Sequence, residues 1–430
     1  MKLSLIYLIL TTQQIISVFA QESVQFDSIC KENRTLTEQN YIISVENLLK
    51  SLKIELNRKT FNVVSSNVNL FKQDFITQIR AGDFICEPKI LICVNHVLNL
   101  IAKANNLDPN SLQLLVSKNN SLNAFCLPDG TFVMHLGLFI WLENEDQLAS
   151  VLSHELAHFI LKHSIQSQVK NYEDKNVRKK INEVTRSEKG RREKALNLYK
   201  DILYSQSASN RDHEFQADSL GYLLYMKTKY NIYEYLSAIK KLEEQSTMPA
   251  DSLKLETLYY YFGVNNLAIG KYIHSFQVAD APSYYEEDYN INPKLLESHP
   301  EVHYRINRLS SIFPELLGNT STVPSNSYLE LTNWAFLEQV PNLYHHKLFG
   351  YCLYTCLIFM QKGYNIEFHK KWLLACLKEI YNARKSYSAS KYLDKIDPLN
   401  QPLDYQRYLH VLWNLSLDDL TNLINYYGNE

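Results

Sequence analysis

Apolar positions recur at helical spacing over most of the chain and at strand spacing in one short part of it. Residues 21–82 have a mixed helical pattern, and Pro88 stands in the first turn of an apolar helix. Residues 112–116 then have the composition of a strand. Residues 123–134 give two strand-like runs around Pro128-Asp129-Gly130, a hairpin turn signal.

More helices are predicted towards the C-terminus. Residues 144–147, Asn-Glu-Asp-Gln, are typical of a capped, acid-rich helix start, and a stripe of apolar positions continues that helix. Another long helix is predicted over about 205–227. From residue 325 the sequence is rich in Tyr and Leu and predicts helices over 344–360 and 368–381, a hairpin that resembles a tetratricopeptide-type repeat without a visible second copy.

These elements predict a mainly helical α+β fold with a small β-sheet edge and an all-helical C-terminal region. A length of 430 residues suits two domains. The expected boundaries are a signal peptide over 1–20, an N-terminal helical region over 21–87, a larger domain over 88–320 and a C-terminal helical domain over 325–430.

Composition indicates a packed protein and excludes some partners. Hydrophobic residues make up 46% and charged residues 21% of the chain, which argues against extensive disorder. A formal net charge of -2 gives no basic surface for phosphates, so no nucleic-acid partner is expected. Residues 170–200 are too charged to span a membrane, and they predict either solvated helices or a movable cover.

The first twenty residues have the pattern of a signal peptide. Lys2 gives a basic start, residues 3–10 are apolar, and Val18-Phe19-Ala20 forms a small-residue cleavage pattern. Gln13 and Gln14 shorten the apolar stretch below the roughly 20 residues of a membrane span. Cleavage and export, to a periplasm or outside the cell, are therefore expected.

The chain contains seven cysteines, and an odd number cannot pair completely within one chain. Disulfides between Cys30 and Cys86 or between Cys86 and Cys93 are both open. Cys352 and Cys356 are four residues apart in an apolar helical stretch, which favours two small buried side chains over a metal site.

Residues 154–158, His-Glu-Leu-Ala-His, carry the clearest chemistry in the sequence. Two imidazoles one helical turn apart can reach one tetrahedral metal ion, and Glu155 then faces the metal-bound water as catalytic base. On a later helix, Glu214 offers a third ligand, and Asp218 can accept the other ring proton of a ligand histidine. His154, His158 and Glu214 predict one catalytic zinc ion per chain, because such a set leaves a fourth position open.

Other interpretations of these residues stay open. His163 and His213 neighbour the motif and are rival ligands, although His213 points about 100° away from Glu214 around its helix. The alternative for Asp218 is an ordinary helix carboxylate. The alternative to an enzyme is a zinc-binding chaperone or adaptor that holds protein partners through its C-terminal helices, but a pure binder has no use for Glu155.

The motif and its surroundings resemble the gluzincin metallopeptidases of the HtpX-like and CAAX-prenyl-protease-like type, in their soluble, exported branch. The resemblance covers roughly residues 88–312. It includes residues 123–128 before the zinc helix, Arg211 with Glu214 and Asp218, and Ser298-His299-Pro300 followed by Arg305. It implies a gluzincin-type zinc metallopeptidase domain over 88–320, with Arg211 and Asp218 supporting the ligands.

The same resemblance implies a zinc endopeptidase that acts on unfolded or extended polypeptides, in quality control or processing of exported proteins. In that family a late histidine, here His299, lies over the site and donates to the oxyanion. The strand of Asn123, Ala124 and Phe125 would pair with an extended peptide. The C-terminal helices are the expected contact for a protein partner.

Overall fold

The computed structural model describes residues 23–173, 211–247, 252–277, 302–318, 322–398 and 401–429. In this part of the chain, helices dominate and one three-stranded sheet is present, which confirms the predicted fold class. Contacts divide the chain into two compact units. The first unit comprises residues 1–241 and 294–331, and the second comprises 242–293 and 332–430. The predicted signal peptide and the segment 174–210 lie outside the described residues.

The first unit begins with a helical hairpin, as the pattern over 21–82 predicted. Helix α1 (Ser23–Glu55) and helix α2 (Arg58–Ala81) pack through a core that includes Tyr41 and Phe75, whose ring centroids are 4.6 Å apart. The Asn57 side chain caps α2, and Gly82, at a φ of 80°, ends it.

A small sheet follows helix α3 (Pro88–Ala104), which begins with its predicted proline. The strands are β1 (Gln113–Ser117), β2 (Ala124–Cys126) and β3 (Thr131–His135). β3 lies in the middle, parallel to β1 and antiparallel to β2. The predicted turn between β2 and β3 forms with Gly130 at a φ of 91°, a conformation open to glycine. β2 is therefore an edge strand of this sheet.

Helix α4 (Leu138–Trp141) leads into helix α5 (Glu145–Ile160), the helix predicted to carry the metal ligands. The Asn144 side chain accepts a hydrogen bond from the Gln147 backbone N–H and so caps α5 as predicted. Leu148, Leu152 and Leu156 are completely buried and anchor one face of α5 in the core. His154, Glu155 and His158 on the same helix are only partly buried.

After helix α5 the chain continues through the first unit, enters the second unit, and later returns to the first. Helix α6 (His163–Glu173) follows α5, and helix α7 is observed over residues 211–225. Helix α8 (Tyr233–Thr247) leads into the second unit, where helices α9 (Leu255–Phe262) and α10 (Gly270–His274) lie. Helix α11 (Val302–Ile312) belongs to the first unit again.

The second unit is helical throughout its described residues. It continues with helices α12 (Asn326–His345), α13 (Phe349–Gln361), α14 (Ile366–Lys385), α15 (Leu403–Asn414) and α16 (Leu417–Asn429). The predicted helix over 344–360 is wrong at its start, because Lys347 adopts a φ of 59° and separates α12 from α13. The break falls at residues 345–347, His-His-Lys, which interrupt the apolar pattern.

The two units divide the chain differently from the predicted domains, and residues 255–274 are one example. Residues 255–274 were expected inside the domain over 88–320, but Leu258 and Phe262 are buried in the core of the second unit. The Tyr427 hydroxyl donates to the Tyr261 carbonyl oxygen at 2.7 Å and ties α9 to the last helix. Such long-range packing leaves no mark in the local pattern of so short a helix.

The state of the cysteines excludes one of the two predicted disulfides. Cys86 is disulfide-bonded and Cys93 is a free thiol, so the Cys86–Cys93 alternative is wrong. Cys352 and Cys356 are free and fully buried in the apolar core, as predicted. Over the described ranges, none of the helices combines the length and the apolar character that crossing a membrane requires.

Candidate metal centre

Two helices that touch at a glycine build the site. Helix α5 presents His154, Glu155 and His158 on its half-buried face, and α7 presents Glu214 and Asp218. A Cβ atom at Gly221 would lie 3.0 Å from the His154 Cα atom and 2.5 Å from the Tyr235 hydroxyl. Only a residue without a side chain permits this close approach of α7 to α5, which brings the carboxylates within reach of the histidines.

Three predicted ligands converge in the structure. The Nε2 atoms of His154 and His158 are 3.1 Å apart. The Glu214 carboxylate oxygens lie 3.4 Å from His154 Nε2 and 3.5 Å from His158 Nε2. Tetrahedral bonds of about 2.0–2.1 Å place zinc ligands roughly 3.3–3.4 Å from one another, so these separations fit a single zinc ion. His154, His158 and Glu214 could hold it and leave a fourth position open.

Asp218 fixes the orientation of His154. One of its carboxylate oxygens lies 3.0 Å from His154 Nδ1, so the ring donates its proton there and keeps Nε2 free for a metal. Arg305 donates two hydrogen bonds to Asp218, at 2.9 and 2.6 Å. The Tyr235 hydroxyl donates to the Asp218 backbone oxygen at 3.0 Å. These distances are consistent with the prediction that Asp218 accepts the other ring proton of a ligand histidine.

The carboxylates make the site favourable for a positive charge. Burial lowers the pKa of His154, but the hydrogen bonds and charges of Asp218 and Glu214 outweigh burial and raise it to about 10. Burial and the neighbouring His154 charge lower the pKa of His158 to about 3. Burial opposes ionisation of Asp218 as well, but Arg305 holds its pKa below the usual value. A metal cation at this position would meet the same two carboxylates.

Glu155 lies between the metal ligands and the edge strand. Burial raises the pKa of its carboxyl group to about 7. The backbone N–H of Cys126, the last residue of β2, donates a hydrogen bond to this carboxyl group. Its surroundings therefore suit a group that takes up and releases a proton near neutral pH.

The other predicted site residues are the three strand residues, Arg211 and His299. Asn123 directly precedes β2, and Ala124 and Phe125 lie within it. His299 lies outside the described residues. Arg211 stands near the visible start of α7, whereas the guanidinium that contacts Asp218 belongs to Arg305.

The two rival histidines are not part of the ligand cluster. His163 contacts His158 through Nδ1 atoms 2.9 Å apart, and His213 stacks on His163 with ring centroids 4.1 Å apart. Sequence reasoning named Arg305 within a motif but gave it no role, and it missed Tyr235 and Gly221. The motif around Arg305 is the one signal that could have indicated its importance.

Comparisons with known proteins agree with this geometry. The sequence profile of peptidase family M48 matches residues 94–313. The beta-barrel assembly-enhancing protease of Yersinia pestis is 36% identical over 91 residues, which are 21% of this chain and 18% of that protein. The mitochondrial metalloendopeptidase OMA1 of Schizosaccharomyces pombe is 32% identical over 114 residues, 25% of this chain and 34% of that protein. The similarity thus spans about a third or less of these relatives.

Proposed function

Since the chain belongs to peptidase family M48, a family of zinc metalloproteases whose profile covers just over half of it, we propose that it is a zinc-dependent endopeptidase. The observation that carries this proposal is the convergence of His154, His158 and Glu214 at the spacing of zinc ligands. Glu155 stands on the same helix turn and supplies the base that a binding protein would not need.

The proposed mechanism divides the work among these residues. His154, His158 and Glu214 would hold the zinc ion, which when bound would polarise the scissile carbonyl and lower the pKa of a water molecule towards about 7. Glu155 takes the proton of the attacking water and passes it to the leaving amine. The Cys126 N–H orients the Glu155 carboxyl group. His299 is proposed, by family resemblance, to donate to the oxyanion.

We propose further that the substrate is an extended polypeptide that pairs with β2. Leu127 N–H donates to the Thr131 carbonyl, and His135 N–H donates to the Asn123 carbonyl. Hydrogen-bonded pairs alternate along an antiparallel ladder, so Phe125 also directs its backbone groups to β3. Ala124 and Cys126 then face the open edge, beside Glu155. Of the three predicted strand residues, Ala124 is the one suited to pair with a peptide backbone.

This pairing can be tested with N-methylated peptides. Methylation of the substrate N–H that donates to Ala124 removes one hydrogen bond, and we expect KM to rise about 2- to 10-fold. Methylation of the next amide along the peptide, which points away from β2, is the matched control and should leave KM nearly unchanged. Equal effects at neighbouring amides would contradict strand pairing.

Hydrolysis of an unfolded protein tests the proposed activity directly. The purified protein should cleave a casein-like substrate, lose that activity with a chelator and regain it with zinc. A protein that binds zinc but leaves the substrate intact would instead be the alternative chaperone or adaptor.

The proposed setting is the processing or quality control of exported proteins, in a periplasm or outside the cell. The signal-peptide pattern over residues 1–20 supports export. N-terminal sequencing of the protein purified from its host checks this proposal. A chain that still begins at Met1 would contradict cleavage.

A further inference from the structure

His163 is held in place on three sides although it is no metal ligand. Only 3% of its surface is exposed. Its Nδ1 atom is 2.9 Å from His158 Nδ1, and its Nε2 atom is 3.4 Å from Gln216 Oε1. Its ring stacks on His213 with an angle of 8° between the planes. Both ring nitrogens therefore have a polar neighbour, and the ring has one defined orientation.

The proton positions of these rings follow from the chemistry of imidazole. A neutral imidazole has one nitrogen that donates and one that accepts. If His158 binds metal through Nε2, its proton must be on Nδ1, which faces His163 Nδ1. That atom must then accept, so the His163 proton is on Nε2, where it faces the Gln216 side-chain oxygen. Every contact in the series then joins one donor to one acceptor.

The backbone between α5 and α6 explains how His163 reaches this place. Lys162 adopts a φ of 53°, which turns the chain so that α6 begins at His163. Such a left-handed conformation is unfavourable for a residue that carries a side chain. Glu55 holds the Lys162 ammonium group at 2.7 and 2.8 Å, a contact with a residue 107 positions away. The residue that makes this unfavourable turn beside the site is thus also held by an ion pair with a distant part of the chain.

We infer that His163 is a positioning residue for the metal ligand His158. Its Nδ1 atom accepts a hydrogen bond from the His158 Nδ1–H group and so directs the His158 Nε2 lone pair towards the ion. This inference rests on the proposed zinc site. The two ligand histidines then differ, since His154 donates to the ionised carboxylate of Asp218 and His158 donates to a neutral ring. The Nδ1 contact also explains why His163, a rival ligand by sequence, lies outside the ligand cluster.

Two substitutions separate this role from simple packing. His163→Phe keeps an aromatic ring against His213 but removes the acceptor, whereas His163→Asn keeps an acceptor near the Nδ1 position and loses the ring. Zinc affinity is measured by competition with a chromophoric chelator, and the site is examined by the visible spectrum of the cobalt-substituted protein. We expect about 10- to 100-fold weaker zinc binding for His163→Phe and near-normal binding for His163→Asn.

A packing role would give the opposite order, with His163→Asn the weaker binder, and that order or equal losses would overturn the inference. His213→Phe is the matched control, because it keeps the stacked pair and removes no partner of His158. Absence of zinc binding by the unaltered protein would instead overturn the proposed function itself.

Nitrogen NMR of the zinc-bound unaltered protein decides the question even if a variant fails to fold. Long-range proton–nitrogen correlations should place the His158 proton on Nδ1 and the His163 proton on Nε2. A His163 proton on Nδ1 would overturn the inference.

Discussion

Substitution of Glu155 by glutamine is expected to lower the rate of peptide hydrolysis by about 100- to 10,000-fold, the usual contribution of a general base. Glutamine keeps the size of the side chain and can still accept the hydrogen bond from Cys126, but it cannot take a proton from water. Hydrolysis of an unfolded protein under saturating zinc measures the loss.

Zinc content is the control for this variant. All three ligands are unchanged, so zinc should stay near one ion per chain, and the unfolding temperature should change little. Hydrolysis at the normal rate by the Glu155→Gln protein would remove Glu155 from the mechanism.

The second large effect is expected on metal affinity. A change to a residue that only hydrogen-bonds a metal ligand weakens metal binding by roughly 10- to 100-fold. Glu214→Ala removes a ligand itself and should reduce zinc affinity by more than that. Asp218→Asn should fall in that smaller range, because the amide oxygen can still accept from His154 but has no charge. Zinc titration of the two variants against the unaltered protein measures both losses.

The order of the two losses is the decisive result. If Asp218→Asn lost more zinc affinity than Glu214→Ala, the two carboxylates would have to exchange roles. Because the Asp218→Asn change deprives the buried Arg305 of its carboxylate partner, unfolding of the zinc-free proteins must be measured as well. A zinc affinity corrected for folding then reports the site alone.

The sequence was most informative where a single helix decides the geometry. The spacing of His154 and His158, and of Glu214 and Asp218, places each pair on one helix face whatever the rest of the chain does. The helix start at Asn144 was predictable for the same reason, since capping is a local interaction.

Long-range contacts account for what sequence reasoning missed. Arg305 reaches Asp218 across 87 residues, and the approach of α7 to α5 depends on the absence of a side chain at Gly221. The position of His163 beside the motif makes it a rival ligand by sequence, but the turn at Lys162 decides which atom it presents to His158. None of these contacts leaves a periodic pattern.

The discontinuous first unit has a consequence for biosynthesis. The chain enters the second unit after residue 241, and residues 294–331 belong to the first unit again, so Arg305 is made 87 residues after Asp218. At about 5–20 residues per second, the nascent chain holds the Asp218 carboxylate for roughly 4–17 s before its counterion exists. The buried ion pair behind the metal site therefore forms late in translation. An emerging chain has its zinc-ligand motif well before Arg305 is made, so the proposed proteolytic activity would begin only after most of the polypeptide has been synthesised.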